Sequence, residues 1–130
     1  MTGLLIIGDI TSEMRDRLDG RLEVHDAHRI DDMASFLGGK GDTVRYVLTD
    51  GHYGVPGDWM DAMPHLALIS NYGVGYDAID VDLSVSRGIL VTHTPQVLND
   101  EVATTALMLM LASYRNLLAS DAYVRAGRWP

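Results

Sequence analysis

There is no cysteine among the 130 residues, which excludes disulfides, thiolate metal sites and a cysteine nucleophile. Basic residues are scarce: ten Lys and Arg stand against eighteen Asp and Glu, a formal net charge of −8. Nucleic-acid binding usually needs a basic stripe to neutralise phosphates, and the acidic balance disfavours both that and anionic membranes. Long apolar runs are missing as well. The longest, Ala106 to Ala112, is too short to span a bilayer. The first residues, Met1-Thr2-Gly3 and then Leu4-Leu5-Ile6-Ile7, carry no basic leader and are interrupted by Gly8-Asp9. They read as a strand, and a cytoplasmic location is expected. Repeats and low-complexity stretches are absent, and Gly38-Gly39-Lys40-Gly41 lacks the spacing of a phosphate-binding P-loop.

What is present is an ordinary globular composition, 47% hydrophobic and 22% charged, with the length of one domain. Short β-type runs alternate with helical or turn-rich segments. Leu4–Ile7 is continuously apolar, as in a strand buried on both faces. Thr11 or Ser12 can cap a helix reaching Leu18, and Leu22–Ala27 is a weaker strand. Asp31 is the expected cap of the next helix, which Gly38-Gly39 should stop. Val44–Leu48 forms a third strand, followed by a short helix around Asp58–Met63 that Pro64 ends. Leu66–Ile69 is a fourth strand. Asp80 then starts a helix with Val81 and Val85 inward and Gly88 as its stop, and Ile89–Val91 is the fifth strand. From Asn99, with Asn99 and Asp100 at its start, one helix is predicted to run to about Ser120.

This order predicts a flavodoxin-like α/β three-layer sandwich: a five-stranded parallel sheet, order 2-1-3-4-5, with helices on both faces. Ligands of such sheets sit beyond the carboxyl ends of the strands. The loops of interest are therefore Gly8–Thr11, Thr49–Gly54, Ser70–Asp77 and His93–Leu98.

Gly73-Val74-Gly75-Tyr76-Asp77-Ala78 fits the relaxed dinucleotide fingerprint G-x-G-x-x-G/A. Two features argue against a dinucleotide. Asp77, Asp80 and Asp82 crowd the helix start where a diphosphate needs a positive end, and Val91-Thr92-His93-Thr94 stands where the fingerprint expects an acid. The amides of Val74 and Gly75 can instead form a concave anion nest sized for a carboxylate. The plainer alternative is a tight turn needing positive φ at Gly73 and Gly75. A signalling reading also stands: Asp50 closes the third strand where a response-regulator receiver carries its phospho-acceptor, and Asp9 could help hold Mg²⁺. Against it, the acid after the first strand is single, and Thr94 replaces the Lys expected before Pro95. An FMN-binding fold is weaker, because Gly8-Asp9-Ile10-Thr11-Ser12 places an acid in the phosphate loop. His25 and His28 are three apart but lie at a strand end rather than on one helix face, so no metal site is expected; His65 is expected at the surface and Trp59 as an anchor for its short helix.

An ordered series of motifs covers about half the chain: Gly73–Asp80, Arg87–Pro95, Val102-Ala103 with Ala106–Leu111, Arg115, and Val124-Arg125-Ala126-Gly127-Arg128-Trp129. Together they resemble the D-2-hydroxyacid dehydrogenases, and within them the glyoxylate or hydroxypyruvate reductases. The resemblance implies an NAD(P)-dependent oxidoreductase acting on small 2-keto acids. It implies backbone binding of the substrate carboxylate by Val74 and Gly75, and a pocket lined by Gly51, His52 and Tyr53. It makes residues 1–98 the substrate-binding domain, and residues 99–130 a helix and tail leading into a cofactor domain beyond them. Val102 would lie at the junction, on the cofactor side. The catalytic Arg, Glu and His belong to the further domain, so no catalytic residue, no bound cofactor and no turnover are expected of these 130 residues alone. Thr104 departs from the pattern, standing where the family usually has an acid. The apolar helix from Asn99 to Ser120 is expected to pair with a second copy in a homodimer.

Overall fold

The computed structural model describes residues 2–129. Its central sheet is formed by β1 (Gly3–Ile6), β2 (Glu23–Asp26), β3 (Val44–Thr49), β4 (Leu68–Asn71) and β5 (Leu90–Thr92). All pairings are parallel, in the order β2-β1-β3-β4-β5. The expected topology is the observed one. Connecting the strands are α1 (Ser12–Leu18), α2 (Met33–Lys40), α3 (Gly57–Asp61) and α4 (Val81–Ser86).

Alternation along the strands divides the core in two. Leu5, Ile7, Val47 and Ile69 face one side, where Leu37 and Phe36 of α2, Met60 and Trp59 of α3, and Leu83 of α4 cover them. Trp59 is thus an anchor for its short helix. Leu4, Ile6 and Leu48 face the other side against Met14 and Leu18 of α1. The row in register across that second face, Leu4, Tyr46, Leu68 and Leu90, runs from 4% exposed at Leu4 to 61% at Leu90. The β5 edge of that face is bare.

Local details differ from the sequence expectations, each for a physical reason. The cap of α2 is Asp32, whose carboxylate accepts from the Ser35 amide at 3.0 Å, rather than Asp31. Gly38 and Gly39 do not stop α2. Neither takes positive φ, so the helix continues to Lys40, where the Thr43 hydroxyl donates to the Lys40 carbonyl. Gly88 does take positive φ (69°) and ends α4 as expected. Val85, however, is 69% exposed; the inward positions of α4 are Leu83 and the fully buried Ser84, whose hydroxyl donates to the Asp80 carbonyl.

The chain falls into two compact units, residues 1–95 and 96–130. The second consists of α5 (Asn99–Tyr114) and α6 (Leu117–Arg125). The single helix expected over Asn99 to Ser120 is broken at Asn116, which adopts a left-handed conformation (φ 49°, ψ 41°) that Asn tolerates better than most residues. The expected cap is also absent: Asn99 is the first helical residue and no side chain caps it. Among the described residues no single helix is long and apolar enough to cross a membrane, and the pair α5 and α6 bends by 60° at the break.

Candidate functional site

The strand ends carry two polar side chains that the core does not need. Thr49 ends β3 and Asn71 ends β4, paired in register, and both are buried. The Thr49 hydroxyl donates to the Gly54 carbonyl at 2.8 Å, drawing the following loop closed. Asp50 tightens that loop further: its Oδ1 accepts from the His52 and Tyr53 amides at 2.9 and 3.0 Å.

The Thr49–Gly54 loop lies directly on the segment after β4. A Cβ on Gly51 would stand 2.6 Å from the Gly75 carbonyl oxygen, and one on Gly73 would stand 3.1 Å from the Gly51 nitrogen. Neither Gly73 nor Gly75 has positive φ, so the turn explanation for these glycines fails. Close backbone approach is the reason for Gly73, whereas Gly75 meets only the Asp77 carboxylate at 3.5 Å.

Every carbonyl of Gly73-Val74-Gly75 is engaged. The Gly73 oxygen accepts from the Thr94 amide at 3.0 Å and from Asn71 Nδ2 at 3.3 Å. The Val74 oxygen accepts from His93 Nδ1 at 2.9 Å, and the Gly75 oxygen from Asn71 Nδ2 at 2.7 Å. Among the described residues, the amides of Val74 and Gly75 donate to nothing, and both residues are exposed. Two adjacent free amides thus stand past the carboxyl end of β4, the end of a parallel sheet where ligands commonly bind.

Of the residues singled out in the sequence, Gly51, Val74 and Gly75 thus come together. Tyr53 and His52 stack edge to face at 5.0 Å, and Tyr53 also meets His28 at 5.6 Å. Tyr53 belongs to a cleft with Gly8, Asp9, Arg15 and Asp26, at the β1 side of the loop. Val102 is exposed on α5. Asn71 and His93 lie in two of the loops of interest, but nothing in the sequence singled them out as holding this segment. Their only signal was a polar residue at, or just past, the carboxyl end of a buried strand.

The alternatives find no support. Asp50 turns its Oδ1 to holding its own loop, accepting from the His52 and Tyr53 amides. For a dinucleotide, α4 has only six residues, and its first-turn amide at Leu83 is already taken by Asp80 at 2.8 Å. These residues do not fit a diphosphate.

Residues 4–124 match the family model for the catalytic domain of D-isomer specific 2-hydroxyacid dehydrogenases. A 2-ketogluconate reductase of Gluconobacter oxydans is 36% identical over 98% of this chain and 40% of its own length. Among solved structures, a 2-hydroxyacid dehydrogenase from Ketogulonicigenium vulgare superposes with a TM-score of 0.86 at 38% identity, covering 99% of this chain and 41% of that one. An NADPH-dependent glyoxylate/hydroxypyruvate reductase from Sinorhizobium meliloti, in complex with NADP and malonate, gives 0.77 at 37% identity, covering 98% and 39%. The chain spans about two fifths of the length of these relatives. The fold, the glycine segment and these matches together make the chain a member of the D-isomer specific 2-hydroxyacid dehydrogenase family.

Proposed function

We propose that this chain forms the substrate side of an NAD(P)-dependent oxidoreductase that reduces small 2-keto acids of the glyoxylate and hydroxypyruvate type. The observation that carries the proposal is the pair of unpartnered amides at Val74 and Gly75, held on a segment whose carbonyls are all engaged. A carboxylate accepts from two adjacent N–H groups and gains charge-assisted bonds. The Sinorhizobium meliloti relative holding malonate, and a second structure of it holding citrate, are consistent with a site for small carboxylates. Gly51, His52 and Tyr53 would border the substrate, and Val102 would face the cofactor side. A cytoplasmic location belongs to the same proposal.

The short helix α4 behind the glycine segment, with its Leu83 amide already taken by Asp80, suits a diphosphate poorly, and the family resemblance assigns the Arg, Glu and His of the chemistry to a further domain. Residues 1–130 by themselves are therefore expected to bind NAD(P)H negligibly and to turn over no glyoxylate. An NMR titration of the 130-residue chain tests both halves. Glyoxylate should move the Val74 and Gly75 amide signals ahead of all others, while NADH should leave the spectrum unchanged. Submillimolar NADH binding would reinstate the glycine fingerprint as a cofactor site.

We further propose that α5 associates with a second copy of the chain. In support, α5 exposes large apolar side chains on all its faces, among them Leu107, Met108, Leu109 and Leu111.

A further inference from the structure

We propose that Asn71 and His93 are positioning residues for carboxylate recognition, aiming the Val74 and Gly75 amides by gripping the carbonyls behind them. The inference rests on the carboxylate role proposed for those amides. A trans peptide is planar, so its C=O and the following N–H point in opposite directions. No peptide bond in the described chain is cis. Holding the Gly73 carbonyl therefore fixes the direction of the Val74 amide, and holding the Val74 carbonyl fixes that of Gly75. Asn71, with the Thr94 amide, does the first, and His93 does the second. Asn71 also grips the Gly75 carbonyl, so one side chain pins both ends of the segment.

The chemistry of both side chains is specified by their partners. Carbonyls only accept, so Nδ1 of His93 carries a proton and the side chain of Asn71 presents its NH₂. That orientation leaves the buried Asn71 Oδ1 without a donor. An unsatisfied buried acceptor is costly, and a residue chosen for packing alone would not carry one. Its retention fits a requirement for the two N–H donors. His93 is exposed and touches Tyr76 edge to face at 4.9 Å, so it adds little to the core.

The test uses the 130-residue chain with glyoxylate as probe, and reads amide order by heteronuclear NOE together with affinity by titration. His93→Leu and Asn71→Leu should each loosen Val74 and Gly75 and weaken glyoxylate binding by about 3- to 10-fold, the worth of one hydrogen bond. The melting temperature of His93→Leu should not move. His93→Asn, which can present an amide nitrogen near the Nδ1 position, should restore both order and affinity. In the wild type, the imidazole nitrogen shifts of His93 should report a protonated Nδ1. If both leucine variants keep wild-type order or wild-type affinity at these amides, the positioning role is wrong while the carboxylate site stands. If the wild-type amides ignore glyoxylate, the carboxylate role falls, and the positioning role falls with it.

Discussion

Gly54 sits where a methyl group has nowhere to go. Its φ is +62°, and a Cβ would lie 1.8 Å from the Ala78 carbonyl oxygen. Gly54→Ala combines a left-handed backbone with a backbone clash, each worth roughly 1–3 kcal/mol. The urea midpoint should fall by the equivalent of about 3 kcal/mol with the slope unchanged. Gly51→Ala is a different case, because φ there is not positive and the clash is with Gly75 alone, at 2.6 Å. It should push the glycine segment off its partners and reduce glyoxylate binding more than it reduces stability, as titration and urea unfolding of one sample would show. Away from the site, a side-chain hydrogen bond from Lys40 at 2.9 Å, and the ammonium charge behind it, hold the Glu23 carboxyl below its ordinary value of 4.5. A depressed carboxylate stabilises the fold above its unfolded-state value, and that contribution is lost as pH falls through the lowered folded value. Lys40→Met should raise the Glu23 titration midpoint in an NMR pH series and flatten that part of the acid-stability curve. An unmoved midpoint would mean the pair is not formed in solution.

The helices and strands were legible to different depths, and α2 shows why. Gly38 and Gly39 signal a stop in the sequence, yet both lie inside the helix with open space where a Cβ would go. Glycine permits a left-handed exit but does not impose one. Gly38→Ala and Gly39→Ala should therefore stabilise the fold, each by about 0.5–1 kcal/mol, the opposite sign to Gly54→Ala. Thermal unfolding of the two single variants checks this, and a loss of stability would show that the helix ends earlier in solution. Strand order was readable because five apolar runs with helical connections leave few parallel arrangements. The break at Asn116 was not, because no Gly or Pro marks it and Leu117, Leu118 and Ala119 beyond it are good helix formers. At the site, the Gly73–Asp77 motif announced the two amides. The donors behind them were hidden: Asn71 reaches carbonyls two and four residues on, a side-chain bond without a turn signal, and His93 meets Val74, 19 residues away, only once β4 and β5 pair. Side-chain hydrogen bonds to backbone carbonyls leave no periodic trace in a sequence.

Across the whole molecule, apolar surface is unevenly placed. The unit 1–95 buries a core of large side chains against its sheet, whereas in α5 Leu107, Met108, Leu109, Met110 and Leu111 are each more than half exposed. These five residues are consecutive, so they project around the full circumference of the helix rather than along one stripe. Leaving such side chains in water forfeits roughly 1.5–3 kcal/mol for each one. Monomeric proteins rarely expose contiguous apolar patches of that size. Burial against a second copy is the simplest remedy, and a two-fold interface, in which each α5 meets the other, is the commonest closed arrangement. Thr104, Leu107, Met108 and Leu111 already line one apolar groove that a partner helix could enter. Sedimentation of the 130-residue chain at micromolar concentration should accordingly give a dimer. The double variant Met108→Lys and Leu111→Lys should sediment as a monomer and leave the sheet intact by circular dichroism, since neither residue belongs to the core of the first unit. A wild type that stays monomeric with α5 helical would show that the exposed leucines and methionines are not answered by a second copy.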